Sequence, residues 1–292
     1  MHVTADLAGR VARGVHIGIH RAGPDEYHGP GMEGRLQNAR EDPREWSLPA
    51  DALRLAPGEV HVWRASLDRP DAYAAEVAAL LSDDELRRGA RFRRDVDRDR
   101  FVAARGALRV ILARYLAGMA PTDLKFRYGS YGKPSLDGMS VKDAPRFNMS
   151  HSGAWAVYAV TRDREIGVDV EQVRAELAGD PIAERFFSPL EVRSLRALPP
   201  ELRVEAFFRC WTCKEAYVKA RGEGLSLPLD RFSVTVSPHE PPALLSVDDA
   251  PAEDSRWELR ALSPAPGYVG AFAADGAVSR LELWHWSATA CD

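Results

Sequence analysis

Two runs dense in apolar and β-branched residues, Trp155 to Thr161 and Ile166 to Val170, flank the polar stretch 162–165. That pattern predicts two strands joined as a hairpin. Side chains alternate between faces along a strand. Val168 and Val170 should therefore anchor the second run in a core, while Asp169 and Glu171, in the run GVDVE, share the opposite face. Further along, Val204, Phe207, Phe208, Trp211 and Val218 recur at helical spacing and Gly222 supplies a stop, which predicts a helix with one packed stripe. Glu215 lies on that stripe and Lys219 one turn beyond it. A surface i,i+4 pair between them is the simplest account, worth about 0.3–0.5 kcal/mol. It does not explain an acid flanked by Trp211 and Val218, since a buried charge is costly unless something pairs with it.

The same pattern repeats at larger scale. SDDE begins at Ser82 and SPLE at Ser188; both read as capping boxes that start helices, the second with proline at the first helical position. The two serines are 106 residues apart, and Phe101 and Phe207 each follow their serine by nineteen residues. Strand-like runs precede each unit, Val60 to Trp63 and Ala156 to Val170. The fold class expected is α+β, a pseudo-twofold duplication of two similar halves with the active site in the cleft between them. The expected organisation is an N-terminal extension over 1–58, a first half over 59–163 and a second over 164–288. Residues 1–58 are rich in Gly, Pro, Arg and polar residues and read either as a mobile extension or as sequence upstream of the true start site. A Pro- and acid-rich stretch, 239–256, is expected to be a surface loop.

Composition narrows the function classes. The 292 residues are 45% hydrophobic and 28% charged, with a net charge of −4, an ordinary globular balance that does not point to nucleic acid as a partner. Against that balance, Leu86 to Arg109 holds nine arginines and three aspartates, which suits either a polyanion or a solvated helix face with internal pairing. No membrane span or secretory signal is expected, so the cytoplasm is the default location. Three cysteines do not make a disulfide framework. Cys210 and Cys213 form a CxxC within the predicted helix, away from the helix N-terminus that would stabilise a thiolate. His16, His20 and His28 sit among glycines and are read as a tail without metal. No GxSxG, Walker A or HExxH pattern is present, which argues against the hydrolase, ATPase and zinc-protease chemistries those motifs carry.

Asp169 and Glu171 would repel one another on a shared strand face unless a cation sits between them. Two carboxylates with open positions suit Mg²⁺, which retains waters and takes phosphate oxygens; two solvated surface acids are the alternative.

With YGKP (131–134), FNMSHSG (147–153), GVDVE (167–171) and WTCKEAYVKARGEGLSLPLDRFSV (from 211) in this order, the chain resembles the 4′-phosphopantetheinyl transferase superfamily, in its long, Sfp-type branch. The resemblance implies transfer of the phosphopantetheine arm of coenzyme A to a serine of an apo carrier protein, acyl or peptidyl, in polyketide or nonribosomal-peptide synthesis. It further implies that Asp169, Glu171 and Glu215 hold Mg²⁺ and that Glu215 and Lys219 are catalytic. Arg88, Lys133, Ser150 and His151 would contact coenzyme A, and the enzyme would be a monomer. Glu85 stands where some members carry a basic residue. A metal-dependent carrier-protein phosphodiesterase and a non-enzymatic, arginine-driven polyanion binder are the alternatives.

Overall fold

The computed structural model describes residues 46–49, 53–68, 71–140, 144–248, 250 and 252–286. His16, His20 and His28 lie outside the described residues. The fold is mixed α+β. In chain order come β1 (Glu59–Ser66), α1 (Asp71–Ala78), α2 (Asp83–Gly89), α3 (Asp95–Ala113), β2 (Phe126–Tyr128), β3 (Pro134–Leu136), β4 (Arg146–Ser152), β5 (Trp155–Thr161) and β6 (Ile166–Gln172). These are followed by α4 (Asp180–Phe186), α5 (Pro189–Ala197), α6 (Pro200–Arg221), β7 (Phe232–Val234), β8 (Leu244–Val247), β9 (Trp257–Leu262), β10 (Tyr268–Asp275) and β11 (Arg280–His285).

Two sheets, ordered β11-β1-β5-β4 and β6-β10-β9, carry the core, with β2-β3 and β7-β8 as separate two-stranded ribbons. Strand alternation builds the layers. On the first sheet, Trp63, Ala65, Phe147, Met149, Tyr158 and Val160 pack with Leu108, Ile111 and Leu112 of α3. The other face offers Val60, Val62, Val157 and Ala159 to Val168, Val170, Phe272 and Ala274 of the second sheet. The far side of that second sheet, with Leu259, Ala271 and Ala273, packs on Phe207, Trp211 and Ala216 of α6. The order is helix, sheet, sheet, helix. Val168 and Val170 thus enter the core between the sheets, as their alternation requires.

The hairpin expected across 155–170 does not form. β5 is flanked on both edges, by β1 and β4, so no edge is left for β6, which pairs with β10 instead. The described part of the N-terminal extension is also attached rather than separate. Trp46 packs on the core between the sheets and donates through Nε1 to the Ser263 carbonyl, while Leu53 and Leu55 pack against the core beneath α3. The 239–256 stretch contains β8, paired with β7: Leu244 supplies a buried side chain that the Pro and acid content obscured. β11, expected in the second half, adds in parallel to β1 of the first sheet.

Both capping boxes are present, and each glutamate does more than cap. Glu85 is 2% exposed. It accepts from the Ser82 N–H at 3.1 Å, from Arg105 Nε at 2.7 Å and from Arg109 Nε at 2.8 Å. Arg109 also donates to the carbonyls of Pro121 and Leu124. In the second node, Lys214 Nζ lies 2.7 Å from both oxygens of fully buried Glu191 and 2.6 Å from the Phe232 carbonyl. Glu191 accepts in addition from Val234 N at 2.7 Å. Each node ties a short helix, a long helix and the segment that follows the long helix into one ion-paired knot.

Burial opposes charge on Glu85, but Arg105, the Ser82 N–H and Arg109 outweigh it and hold the carboxyl below the ordinary glutamate value. The folded chain therefore binds fewer protons there than the unfolded chain, so this stabilisation is full above the ordinary glutamate value and is lost as pH falls through the lowered one. Glu85→Gln should cost about 3–5 kcal/mol near neutral pH, because two guanidinium groups are left buried without their anion, and should flatten the acid limb of stability. Urea denaturation across the acid range measures both; a variant of parental stability and parental acid dependence would contradict the assignment.

Candidate active site

The approach of β6 to α6 is set by Gly167. A Cβ there would collide with the Ala216 carbonyl oxygen and the Ala220 backbone. Only a residue without a side chain lets the strand lie against the helix backbone at this point. The residues of the same strand face, Asp169 and Glu171, then project into the region where α6 presents Glu215 and Lys219. All three carboxylates are buried, at 3% for Asp169, 1% for Glu171 and 2% for Glu215. α6 ends at Gly222, at φ 70°, whose N–H bonds the Val218 carbonyl at 3.0 Å, a left-handed C-terminal cap.

Lys219 does not pair along its own helix in the manner of a surface i,i+4 contact. Its Nζ lies 2.6 Å from Asp169 Oδ1 and donates to Ser150 Oγ at 2.9 Å. Ser150 Oγ in turn donates to Asp169 Oδ1 at 2.8 Å. Three separate sequence motifs meet in this triangle. Glu171 Oε2 accepts from Ser152 Oγ at 2.8 Å. Among the described residues, no group of three or more His, Cys, Asp or Glu side chains is gathered closely enough to hold a metal ion; Asp169 is engaged by Lys219 and Ser150, and Glu171 by Ser152. Their chemistry nevertheless suits a hard cation: an all-oxygen donor set on two facing elements, shielded from water, with a cationic ammonium already seated on Asp169.

The remaining expected residues fall elsewhere. Lys133 follows the turn of the β2–β3 ribbon, where its Nζ donates to Glu165 Oε2 and to the Ala220 carbonyl, both at 2.8 Å. It thereby closes the C-terminal turn of α6. Burial lowers its proton affinity more than Glu165 raises it. Lys133, Arg127, Arg146, Glu165, Phe147 and Gly222 line a cavity of about 300 Å³ at the start of β6. His151 is half-buried and, by alternation along β4, faces away from Ser150 and Ser152. Arg88 lies on α2, its guanidinium 5.9 Å from the centre of the Phe101 ring.

The arginine-rich segment is extensively paired within the chain: Arg105 and Arg109 with Glu85, Arg100 with Asp68, Arg98 with Asp95 and Asp99, and Arg94 with Asp97. This favours the internally compensated helix over a polyanion-binding face. Cys210 and Cys213 are buried; burial pushes both thiols up, Cys213 to about 12, so neither is a reactive thiolate.

Sequence reasoning missed Asn148 and Ser152. The signal was present in FNMSHS, where polar Asn148, Ser150 and Ser152 alternate with Phe147 and Met149: a strand with one apolar face and one polar face, and all three polar residues prove buried.

Comparison with known proteins agrees with these motifs. The family model described as the 4′-phosphopantetheinyl transferase superfamily matches residues 165–273. The chain is 42% identical over 241 residues to the 4′-phosphopantetheinyl transferase HetI of Nostoc sp., covering 82% of this chain and 98% of that protein. It is 34% identical over 175 residues to a 4′-phosphopantetheinyl transferase of Bacillus subtilis, covering 59% and 75% respectively, and 33% identical over 156 residues to Sfp of Bacillus subtilis strain 168, covering 53% and 66%. A chain that aligns with almost the whole of HetI, and whose Asp169, Lys219 and Ser150 come from three of the motifs and meet in space, belongs to the 4′-phosphopantetheinyl transferase superfamily.

Proposed function

We propose that this protein transfers the 4′-phosphopantetheine arm of coenzyme A to a serine hydroxyl of an apo carrier protein and releases 3′,5′-ADP. The observation that carries this reading is the triangle of Asp169, Lys219 and Ser150, with Glu171 and Glu215 buried on the same two elements. Asp169, Glu171 and Glu215 would be the ligands of Mg²⁺, which when bound would neutralise the diphosphate and make 3′,5′-ADP a better leaving group. Lys219, whose ammonium bonds Asp169 and Ser150 in this structure, would balance charge on the transferring phosphate. Glu215 accepts the carrier serine proton, directly or through one water.

The cavity beside Lys133 lies about 10 Å from Asp169, three residues along the strand from Ile166. Arg127, Arg146 and Lys133 on its wall suit the phosphorylated nucleotide end of coenzyme A. Ser150 is placed to exchange its bond to Lys219 for one to a phosphate oxygen, and His151 and Arg88 would contact the same substrate from the first half.

The finer reading of the fold is an internal duplication. In its support, the succession β1, α2, α3, β2-β3, β4, β5 has its counterpart in β6, α5, α6, β7-β8, β9, β10. The sheets agree in order, β1-β5-β4 and β6-β10-β9. The capping-box glutamates pair with a cation on the following long helix in both. On this reading the carboxylates would lie at the seam between the two units. By its resemblance to the long branch, the carriers of polyketide and nonribosomal-peptide synthases are the proposed partners, served by a cytoplasmic monomer. Among the described residues no helix is long and apolar enough to cross a membrane.

The activity is tested with purified protein, coenzyme A, Mg²⁺ and a panel of apo carriers, scored by the mass added to the carrier serine. No added mass on any carrier would overturn the reading, as would removal of the arm from holo carriers. Asp169→Ala should both slow turnover and raise the Mg²⁺ concentration needed for half-maximal rate; an unchanged metal dependence would remove it from the ligand set. Glu215→Gln, with Mg²⁺ and coenzyme A saturating, should lower kcat by about 10²–10⁴. A parental rate would remove Glu215 from the role of base.

A further inference from the structure

Among the described residues β4 and β6 are both edge strands, β4 pairing with β5 alone and β6 with β10 alone. An open edge leaves backbone N–H groups in need of acceptors, and burial makes that need acute. Here the acceptors are side chains of β4 in place of a paired backbone. Asn148 Oδ1 accepts from Val168 N at 2.9 Å, and Ser152 Oγ accepts from Gln172 N at 3.2 Å. The two strands are laced together through side chains of β4 in place of a backbone ladder.

The two serines of this lace are chemically matched. Ser150 Oγ accepts from Lys219 Nζ and donates to Asp169 Oδ1. Ser152 Oγ accepts from Gln172 N and donates to Glu171 Oε2. A hydroxyl has a single proton, so the bond accepted from the Gln172 N–H directs that of Ser152 to Glu171. Serines two apart on one strand thus meet carboxylates two apart on the other. Ser152 is 2% exposed and Glu171 1%, so water does not substitute for this donor.

We infer that Ser152 is a positioning residue of the carboxylate site: it fixes the orientation of Glu171 and thereby sets the affinity for a divalent cation. The inference rests on the reading of Asp169 and Glu171 as metal ligands and adds what aims one of them. Hydrogen bonds to ligating carboxylates act through the ligand, and losing such a partner weakens metal binding about 10–100-fold.

The experiment titrates the purified full chain with Mn²⁺, followed by the electron paramagnetic resonance signal of free Mn²⁺, for the parent, Ser152→Ala, Ser152→Thr and Asp169→Ala. Thermal unfolding of each is recorded in EDTA. Ser152→Ala should bind Mn²⁺ at least about tenfold more weakly, and Ser152→Thr, which retains the hydroxyl, should stay close to the parent. In turnover assays the Ser152→Ala defect should appear as a raised Mg²⁺ requirement, with kcat recovering at high Mg²⁺. Parental Mn²⁺ affinity in Ser152→Ala, with Asp169→Ala impaired, overturns the positioning role alone. Parental affinity in Asp169→Ala as well overturns the metal reading beneath it. Lowered thermal stability without weakened Mn²⁺ binding assigns Ser152 to the seam only and likewise overturns the inference. Should the alanine variant not fold, Ser152→Cys, a weaker donor of similar size, serves in its place with the same expected weakening.

Discussion

A carboxylate withdrawn from water must be met by a donor or a cation, because leaving it unmatched costs more than a fold of this size can spare. Asp169, Glu171 and Glu215 are all withdrawn in this way between one strand and one helix. The chain meets the first two with groups from other elements, Lys219 of α6 and Ser150 and Ser152 of β4. That requirement dictates where the elements go: β6 must lie against α6, which only Gly167 allows, and the polar face of β4 must turn to β6.

The same principle recurs away from the chemistry, with a different outcome. Glu85 with Arg105 and Arg109, and Glu191 with Lys214, are buried knots whose partners are all supplied by the chain and are joined to backbone groups of several elements. Such closed networks fix how the long helices lie on their sheets. Lys214 immediately precedes Glu215, so the knot at Glu191 holds the roll of α6 that turns Glu215 inward. At the seam, by contrast, the cation on Asp169 is a lysine whose side chain remains 13% exposed, less enclosed than the cations of either knot.

Much of this was legible in the sequence because it was local. The β5 strand, the αL stop at Gly222, both capping boxes and the alternation of Val168 and Val170 with Asp169 and Glu171 follow from short-range sterics and periodicity. The expected hairpin over 155–170 failed because pairing is not local: β1 and β4 claim both edges of β5, and the polar turn 162–165 leads from one sheet to the other. β11 returning to β1 and the docking of Trp46 are likewise long-range. Lys133 reads as a phosphate contact by its motif, yet its ammonium bonds Glu165 and the end of α6, a partner set that only the tertiary fold assembles. The roles of Asn148 and Ser152 were hidden for the same reason, since a polar strand face looks solvated until the element covering it is known.

The proposed site would have the acids of β6 and α6 share one divalent ion in place of the lysine on Asp169. It is tested most directly by diffraction from crystals grown with Mn²⁺ and coenzyme A, using the anomalous signal of the metal. The expected result is a single strong peak at about 2.0–2.3 Å from oxygens of Asp169, Glu171 and Glu215, with Lys219 Nζ moved from Asp169 to a phosphate oxygen. A peak held by other residues, or coenzyme A bound with Lys219 still on Asp169 and no ion at the seam, would contradict it.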